Sequence, residues 1–501
     1  VSGERIPPPA LDDRGALALV LHTHMPYVEG YGTWPFGEEW LWEAIATCYL
    51  PLLDVCDRHG GPVPLTLSLT PVLCDQLAAP GVPERLTRFL RDVRRETHAL
   101  DVAGCREAGR EDYARELERA AGDYERALAL VEGRGGDLLG VFAAHASWTS
   151  SATHAVLPLL ATDAGVRLQL ERGIASHRAR FGAWAGGLWL PECAHAPWLD
   201  PLLEEAGVHA TCVDLTDVLG HGAPAQLAPI ATDDGPLLVP IDRATIELVW
   251  SDGGYPSHGA YRDYHRFTVH HHRVWSNDGG TYDHAAALAQ ARADAADFVA
   301  RTIERLDAGA VALGRPALAV CALDTELLGH WWYEGIAWLD AVIEEAERQG
   351  LALARLDAAL ERHAPVALAD ALAPAPGAAA SSPAAADVRA GRLPTTTWGT
   401  PRDLSTWDGP QVAELAWQAR NAELRALVAD GAGALSPRAL RELLLLQSSD
   451  WAFQVTRELA GRYPRERAAG HRVALEAALA LRDTAGGDGD AAVRGLAPPS
   501  A

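Results

Sequence analysis

Six short apolar runs, spaced through the first two-thirds of the chain, constrain its fold more than any other feature. They are Ala16 to Leu21, Val63 to Leu69, Leu188 to Leu190, Ala210 to Val213, Leu237 to Ile241 and Ala317 to Leu323. They are short enough for strands, and helix-like stretches lie between several of them. That alternation predicts β/α units, with parallel strands covered by helices. In a barrel of such units the chemistry sits at the carboxyl ends of the strands. His22 and Asp324 each directly follow one of the runs.

The 501 residues allow two to four domains, and a barrel absorbs much of that length as one. The stretch from Glu84 to Glu132 is rich in Arg, Glu, Ala and Leu. It predicts amphipathic helices inserted, over about 84–135, into a catalytic unit spanning 1–370. Residues 371–390 form a low-complexity Ala/Pro/Gly/Ser linker. Gln411 to Val428 and Pro437 to Tyr463 read as helical within a smaller domain over 391–482. The Gly/Ala-rich residues 483–501 are expected to form a frayed, flexible tail.

Composition narrows the partners. A formal charge of −24 disfavours nucleic acid and anionic membranes, whereas a neutral polymer such as a glucan meets no such penalty. No lysine occurs, so all 43 basic residues are arginine, which removes Schiff-base and P-loop lysine chemistry. The seven cysteines are scattered without a CxxC pair, and buried free thiols are expected. The first residues show no secretory pattern and no apolar run is long enough to span a bilayer, so a cytoplasmic location is expected.

Two stretches carry the chemistry. In Gly187-Leu-Trp-Leu-Pro-Glu192-Cys-Ala-His195-Ala-Pro-Trp198, a carboxylate follows an apolar run among aromatic and imidazole side chains. In Asp324-Thr-Glu326-Leu-Leu-Gly329-His330-Trp331-Trp332-Tyr333-Glu334-Gly335 a second carboxylate ends a predicted strand. Two such acids beside tryptophans suit cleavage of a sugar–sugar bond. Trp189, Trp198, Trp331 and Trp332 offer flat faces for pyranose rings, although core packing accounts for about half of such residues. Glu326 and Glu334 are expected to be solvated or structural charges.

Leu21-His22-Thr-His24-Met-Pro26-Tyr27 puts two imidazoles on one side of an extended chain. That arrangement fits metal ligation, contact with sugar hydroxyls or a purely structural role. No further set with metal-ligand spacing accompanies it, which favours sugar contact. His154, in Thr149-Ser-Ser-Ala-Thr153-His154-Ala-Val-Leu-Pro158, is a weak signal alone. Aromatic clusters around Trp250, Trp398, Trp407 and Asp450-Trp451-Ala-Phe453 extend a candidate groove. His270-His271-His272 reads as an exposed loop.

Taken in order, HxHxPY, ATHxxxPLL, WLPECAH, DxELxGHWWxEG and a late SSDWxF resemble glycoside hydrolase family 57, and within it the subgroup that branches α-1,4-glucans. The resemblance spans nearly the whole chain and implies an α/β fold. Its core is a (β/α)7 barrel, an incomplete TIM-like barrel, with a helical insertion and an all-helical C-terminal domain. It implies a retaining mechanism with no metal or other cofactor, Glu192 as nucleophile and Asp324 as general acid/base.

By the same resemblance His22, His24 and His154 line the donor-sugar site. Trp250, Trp398, Trp407 and Trp451 match aromatic groove positions, and Trp189, Trp331, Trp332 and Asp450 join them as substrate-binding candidates. The implied partners are α-glucan donor and acceptor chains, with neither nucleic acid nor membrane, and the oligomeric state is left open. Two positions depart from the pattern: Ala146 replaces a frequent acidic residue, and His195 stands where the subgroup commonly has tyrosine. A 4-α-glucanotransferase and an amylase share the motifs. A metal-dependent hydrolase built on His22 and His24, and a non-catalytic glucan-binding protein, are rivals of other classes.

Overall fold

All six apolar runs become parallel strands in the computed structural model, which describes residues 14–32, 36–59, 63–373, 392–431 and 435–481. They are β1 (Gly15–Thr23), β2 (Leu65–Leu69), β4 (Gly187–Trp189), β5 (Ala210–Val213), β7 (Leu237–Pro240) and β8 (Ala317–Asp324). A seventh parallel strand, β3 (Ala146–Ser150), escaped the sequence reading because Ala-Ser-Trp-Thr-Ser has no apolar run. The parallel order is β8-β1-β2-β3-β4-β5-β7. The two-residue strands β6 (Ile230–Ala231) and β9 (Val366–Ala367) extend the β7 edge. Between β7 and β8 the seam is bridged by the Asp242 N–H donating to the Val320 carbonyl at 2.8 Å. The result is the expected (β/α)7 barrel.

Parallel strands covered on both faces carry continuous apolar sequence. Every residue of β1 is buried, as are the first seven of β8. Gly15 starts β1 at φ 114°, and a Cβ there would lie 1.8 Å from the Ala317 carbonyl oxygen, so only glycine allows the two strands to meet. Register then fixes the site: His22 of β1 lies between Ser68 of β2 and Asp324 of β8.

The connection after β2 carries the helical insertion, Val82–Arg88 continuing through Phe89–Arg94 and Arg95–Glu107, then Glu111–Gly133. Arg94 ties it to the barrel through Glu39 and Glu43. Its longest helix grips the loop after β7, where Glu116 pairs with Arg262 and Trp275 donates to the Tyr113 hydroxyl at 2.9 Å. His270-His271-His272 lies in that loop, and only in part as expected. His270 bonds Asp101 at 2.7 Å, and buried His272 stacks on His98 at 3.6 Å, so two of the three rings pack against the insertion.

The C-terminal helices are Ala413–Gly431, Pro437–Leu446, Ser449–Thr456 and Tyr463–Leu481. The stretch expected to be helical over 437–463 breaks at Gln447-Ser448, because the Ser448 side chain caps the next helix by accepting the Asp450 N–H. This bundle docks on the barrel helix Asp163–Phe181. Glu423 accepts the Thr162 hydroxyl at 2.6 Å and the Ala161 N–H at 3.0 Å, and Gln169 bonds Gln447 at 2.9 Å. The predicted linker beyond residue 373 and the predicted 483–501 tail lie outside the described residues. All seven cysteines are free and six are buried, and no described helix is long and apolar enough to cross a membrane.

Candidate active site

Glu192 stands three residues beyond β4 in the left-handed backbone region (φ 62°, ψ 21°), and Cys193 follows at φ 47°. For residues with side chains this costs about 1–2 kcal/mol each, so surrounding bonds must hold it. They come from residues 396–399. The Thr397 hydroxyl and the Trp398 N–H both donate to the Glu192 carbonyl, at 2.7 and 3.0 Å. The Trp398 indole N–H donates to Glu192 Oε2 at 3.1 Å. Arg243 pins this segment in turn, donating to the Trp398 carbonyl at 2.7 Å and to Asp214 through Nε and Nη2 at 2.8 and 2.7 Å.

Behind Glu192 lies a histidine cluster built from two strand ends, those of β1 and β3. His22 Nε2 meets His154 Nε2 at 3.0 Å, and the His24 and His154 rings stack with centroids 4.1 Å apart. His22 also stacks on Trp189 at 4.8 Å. His154, at φ 58°, bonds the Ser449 hydroxyl through Nδ1 at 2.8 Å, and His24 Nε2 meets Asp450 Oδ1 at 3.0 Å. His22 Nδ1 reaches Ser68 at 3.4 Å and His24 Nδ1 reaches Thr70 at 3.0 Å. All six ring nitrogens thus have protein partners. A metal-ligating set would need some of them free, and no group of His, Cys, Asp or Glu suited to a metal occurs among the described residues. Burial and their close packing hold His22 and His154 well below the ordinary histidine range, so both are neutral.

Asp324 ends β8 beside His22, with its side chain open to the barrel mouth. Three carboxyls here titrate unusually high. Burial first, then the Asp324 charge, push Glu192 up to about 8, while bonds from Trp398 and Ser449 oppose the shift. Asp324, although open on one side, has enough protein around it that lost solvation pushes it to about 6, opposed by His24. Glu326 is pushed to about 8 by burial, although its Oε1 accepts the Tyr49 hydroxyl at 2.5 Å and the His24 N–H at 3.2 Å. The protein surroundings therefore separate the two candidate catalytic acids, but with the higher value on Glu192. That is the reverse of the order a nucleophile–acid pair needs during reaction.

The tryptophans divide. Trp189 is fully buried under His22, and Trp398 packs edge-on against it at 5.0 Å while holding Glu192. Trp250 and Trp331 are open, 55% and 43% exposed. Trp332, Trp407 and Trp451 present no open face. Trp332 packs on Tyr261 and Trp338, Trp407 lies among Val156, Ala194 and Val412, and Trp451 bonds the Leu445 carbonyl at 2.8 Å. Trp332 thus fills the barrel's own core and Trp407 and Trp451 the packing between the barrel and the C-terminal helices, which motif spacing alone does not distinguish from a groove. Glu334 is likewise buried and structural, accepting the Arg262 N–H at 3.2 Å. His195 is fully buried and bonds Asp200 at 2.7 Å while its backbone pairs both ways with Thr396, so its ring is an anchor without surface in the mouth. Ser449, Thr397, Arg243 and Asp214 were not singled out in the sequence. Ser449 at least lies inside the SSDW run, whereas nothing local marks Arg243.

Two candidate acids thus stand beyond β4 and at the end of β8 of a seven-stranded barrel, one bound by indole and hydroxyl donors and one open. Models of glycosyl hydrolase family 57 and of the C-terminal region of 1,4-alpha-glucan branching enzymes match residues 148–372 and 422–487. A probable 1,4-alpha-glucan branching enzyme of Mycobacterium tuberculosis is 32% identical over 94% of both chains. The chain belongs to glycoside hydrolase family 57. The crystal structure of a branching enzyme of that family from Pyrococcus horikoshii superposes with a TM-score of 0.80 at 28% identity, covering 91% of this chain and 88% of the other. One from Thermococcus kodakaraensis gives 0.81 at 26% identity, covering 97% and 95%.

Proposed function

We propose that this protein is a 1,4-α-glucan branching enzyme that works by retaining double displacement. The observation that carries the reading is the Glu192–Asp324 pair, set at a mouth that the barrel and the C-terminal helices build together. The branching enzymes it resembles over nearly full length supply the reaction class. In the first step Asp324 gives its proton to the glycosidic oxygen while the Glu192 carboxylate bonds the anomeric carbon, and the reducing-end part of the donor leaves. In the second step Asp324 takes the proton of an acceptor 6-hydroxyl. Its oxygen displaces Glu192 and forms the α-1,6 link, so two inversions retain the anomeric configuration.

The proton must sit on Asp324 at the start. Asp324 is the acid whose side chain opens on the mouth, so a bound glucan strips its solvent and raises it further. Glu192 is already largely enclosed and keeps its Trp398 and Ser449 donors, which favour its charged form. Substrate binding thereby moves the pair's single proton toward Asp324. His24, Asp450 and Trp398 hold the donor side, with His22, His154 and Trp189 packed behind them. The open Trp250 and Trp331 serve glucan further out. The net charge of −24 suits a neutral polymer and disfavours nucleic acid. Seven free thiols fit the reducing cytoplasm.

The test is proton NMR of amylose incubated with wild-type protein and with Glu192→Gln. New α-1,6 anomeric signal from the wild type alone, with little gain in reducing ends, is expected. Rising reducing ends without α-1,6 signal would make the protein an amylase, and redistribution of α-1,4 chains alone would make it a 4-α-glucanotransferase.

A further inference from the structure

The acid's side of the barrel mouth carries aromatic side chains that the catalytic steps leave unused. Trp331 lies seven residues past Asp324 and is 43% exposed, and Phe267, on the loop after β7, is 42% exposed. Tyr264 joins them, its ring 4.6 Å from that of Trp331 and 6.4 Å from that of Phe267. The Arg273 guanidinium backs the group, 4.1 Å from the Tyr264 ring and 5.1 Å from the Phe267 ring, and donates to the His330 carbonyl at 3.4 Å. The Trp331 backbone N–H donates to the Glu326 carbonyl at 3.1 Å, which ties residue 331 to the turn that begins at Asp324.

These rings are held firmly and yet remain open. The loop after β7 is clamped to the insertion by the Arg262–Glu116 pair and the Trp275–Tyr113 bond. Side chains fixed in this way with an apolar face left to solvent are suited to receive a flat apolar partner. The pyranose C–H face of a neutral glucan is such a partner.

Retaining chemistry says which glucan. The acid protonates the departing oxygen in the first step and deprotonates the incoming one in the second, so both chains that exchange at the anomeric carbon lie on the Asp324 side. We propose that Trp331 and Phe267, backed by Tyr264 and Arg273, form the platform on which the acceptor α-glucan lies while its 6-hydroxyl reaches Asp324. This rests on the transferase reading above. The O6–H proton passes to the Asp324 carboxylate, the C1–O6 bond forms, the C1–Oε bond to Glu192 breaks, and Glu192 leaves as carboxylate. A platform matters because a held acceptor must outcompete water for the glycosyl-enzyme.

The experiment uses the full chain with Trp331→Ala, Phe267→Ala and the double variant on amylose. The same reactions are read for α-1,6 signal and for reducing ends, with and without added maltooligosaccharide acceptor. Loss of one ring contact should lower the transfer-to-hydrolysis ratio about tenfold and raise the apparent acceptor KM by a similar factor. The double variant should go further, and Trp331→Tyr should recover most of the loss. Circular dichroism and Tm should match the wild type, since both rings lie at the surface. A ratio and acceptor KM within about twofold of wild type would overturn the platform. So would an equal fall of transfer and hydrolysis, which would mark a role in the first step. Wild-type protein that makes only reducing ends would sink the transferase reading itself, and the platform with it.

Discussion

The two walls of the site are built differently. On the wall of the proposed nucleophile, Glu192 is enclosed: four bonds from Thr397, Trp398 and Ser449 reach its carbonyl or carboxylate, and Arg243 holds the Trp398 carbonyl from behind. On the wall of the proposed acid, Asp324 ends a strand with its carboxyl open, beside aromatic rings that also face outward. The contrast follows from what each wall must do. A nucleophile meets the same anomeric carbon in both steps and gains from rigid placement. An acid/base meets two different oxygens on two different chains, so its side must release one glucan and admit another.

The sharpest way to break this comparison is to remove each acid alone. Glu192→Gln should lower kcat by at least about 10³-fold, measured as new α-1,6 links per minute. The same variant should be more stable at alkaline pH. In the wild type the Glu192 carboxyl is pushed up to about 8 in the folded protein, above its ordinary value of 4.5. The wild type therefore loses stability as pH rises from about 4.5 through about 8, while the glutamine variant does not. The Tm gain should be near zero at pH 4 and correspond to about 1–3 kcal/mol at pH 8.

Asp324→Asn should lower turnover of amylose by about 10²–10³-fold, and far less for an aryl glycoside whose leaving group needs no proton. It also removes the charge that lifts Glu192. The alkaline limb of the bell-shaped rate profile, which reports the pair, should therefore vanish. A variant that keeps the alkaline limb would show that another group, with Glu326 the nearest candidate, carries the acid's proton.

Arg243→Met sharpens the rigid wall. It frees the Trp398 carbonyl and leaves buried Asp214 unpaired, so kcat should drop by about 10–100-fold with KM changed much less. Lysine should not rescue it, because two guanidinium nitrogens bind Asp214 while Nη2 also reaches the carbonyl. A rise in KM at constant kcat would contradict a positioning role. The smallest effect on activity separates core from groove. Trp407→Ala should cost about 3–5 kcal/mol of stability, whereas exposed Trp250→Ala should leave Tm unchanged and raise only the KM for long glucans.

Most of the barrel was legible because buried parallel strands are written as apolar runs, and six of the seven strands are such runs. β3 was not, since its Ser, Trp and Thr side chains carry its burial without an apolar run. The two candidate acids stand out for a related reason: the last residue of β8 and the turn beyond β4 lie at the carboxyl ends of parallel strands. The tryptophans were only half legible. Trp398 and Trp407 lie nine residues apart in similar Trp-Gly and Trp-Asp settings, yet one holds Glu192 and the other fills the domain junction.

The sequence by itself determined six of the seven parallel strands, the two candidate acids and the family, because each is encoded within a dozen neighbouring residues. Tertiary structure alone decided which indoles stay open, which carboxyl is enclosed, and that Thr397, Trp398 and Ser449 converge on Glu192 with Arg243 behind Trp398. Those outcomes depend on pairings such as Trp398 with Glu192, 206 residues apart in the chain. Contacts of that range are set by how the barrel and the C-terminal helices dock, and no local pattern records them.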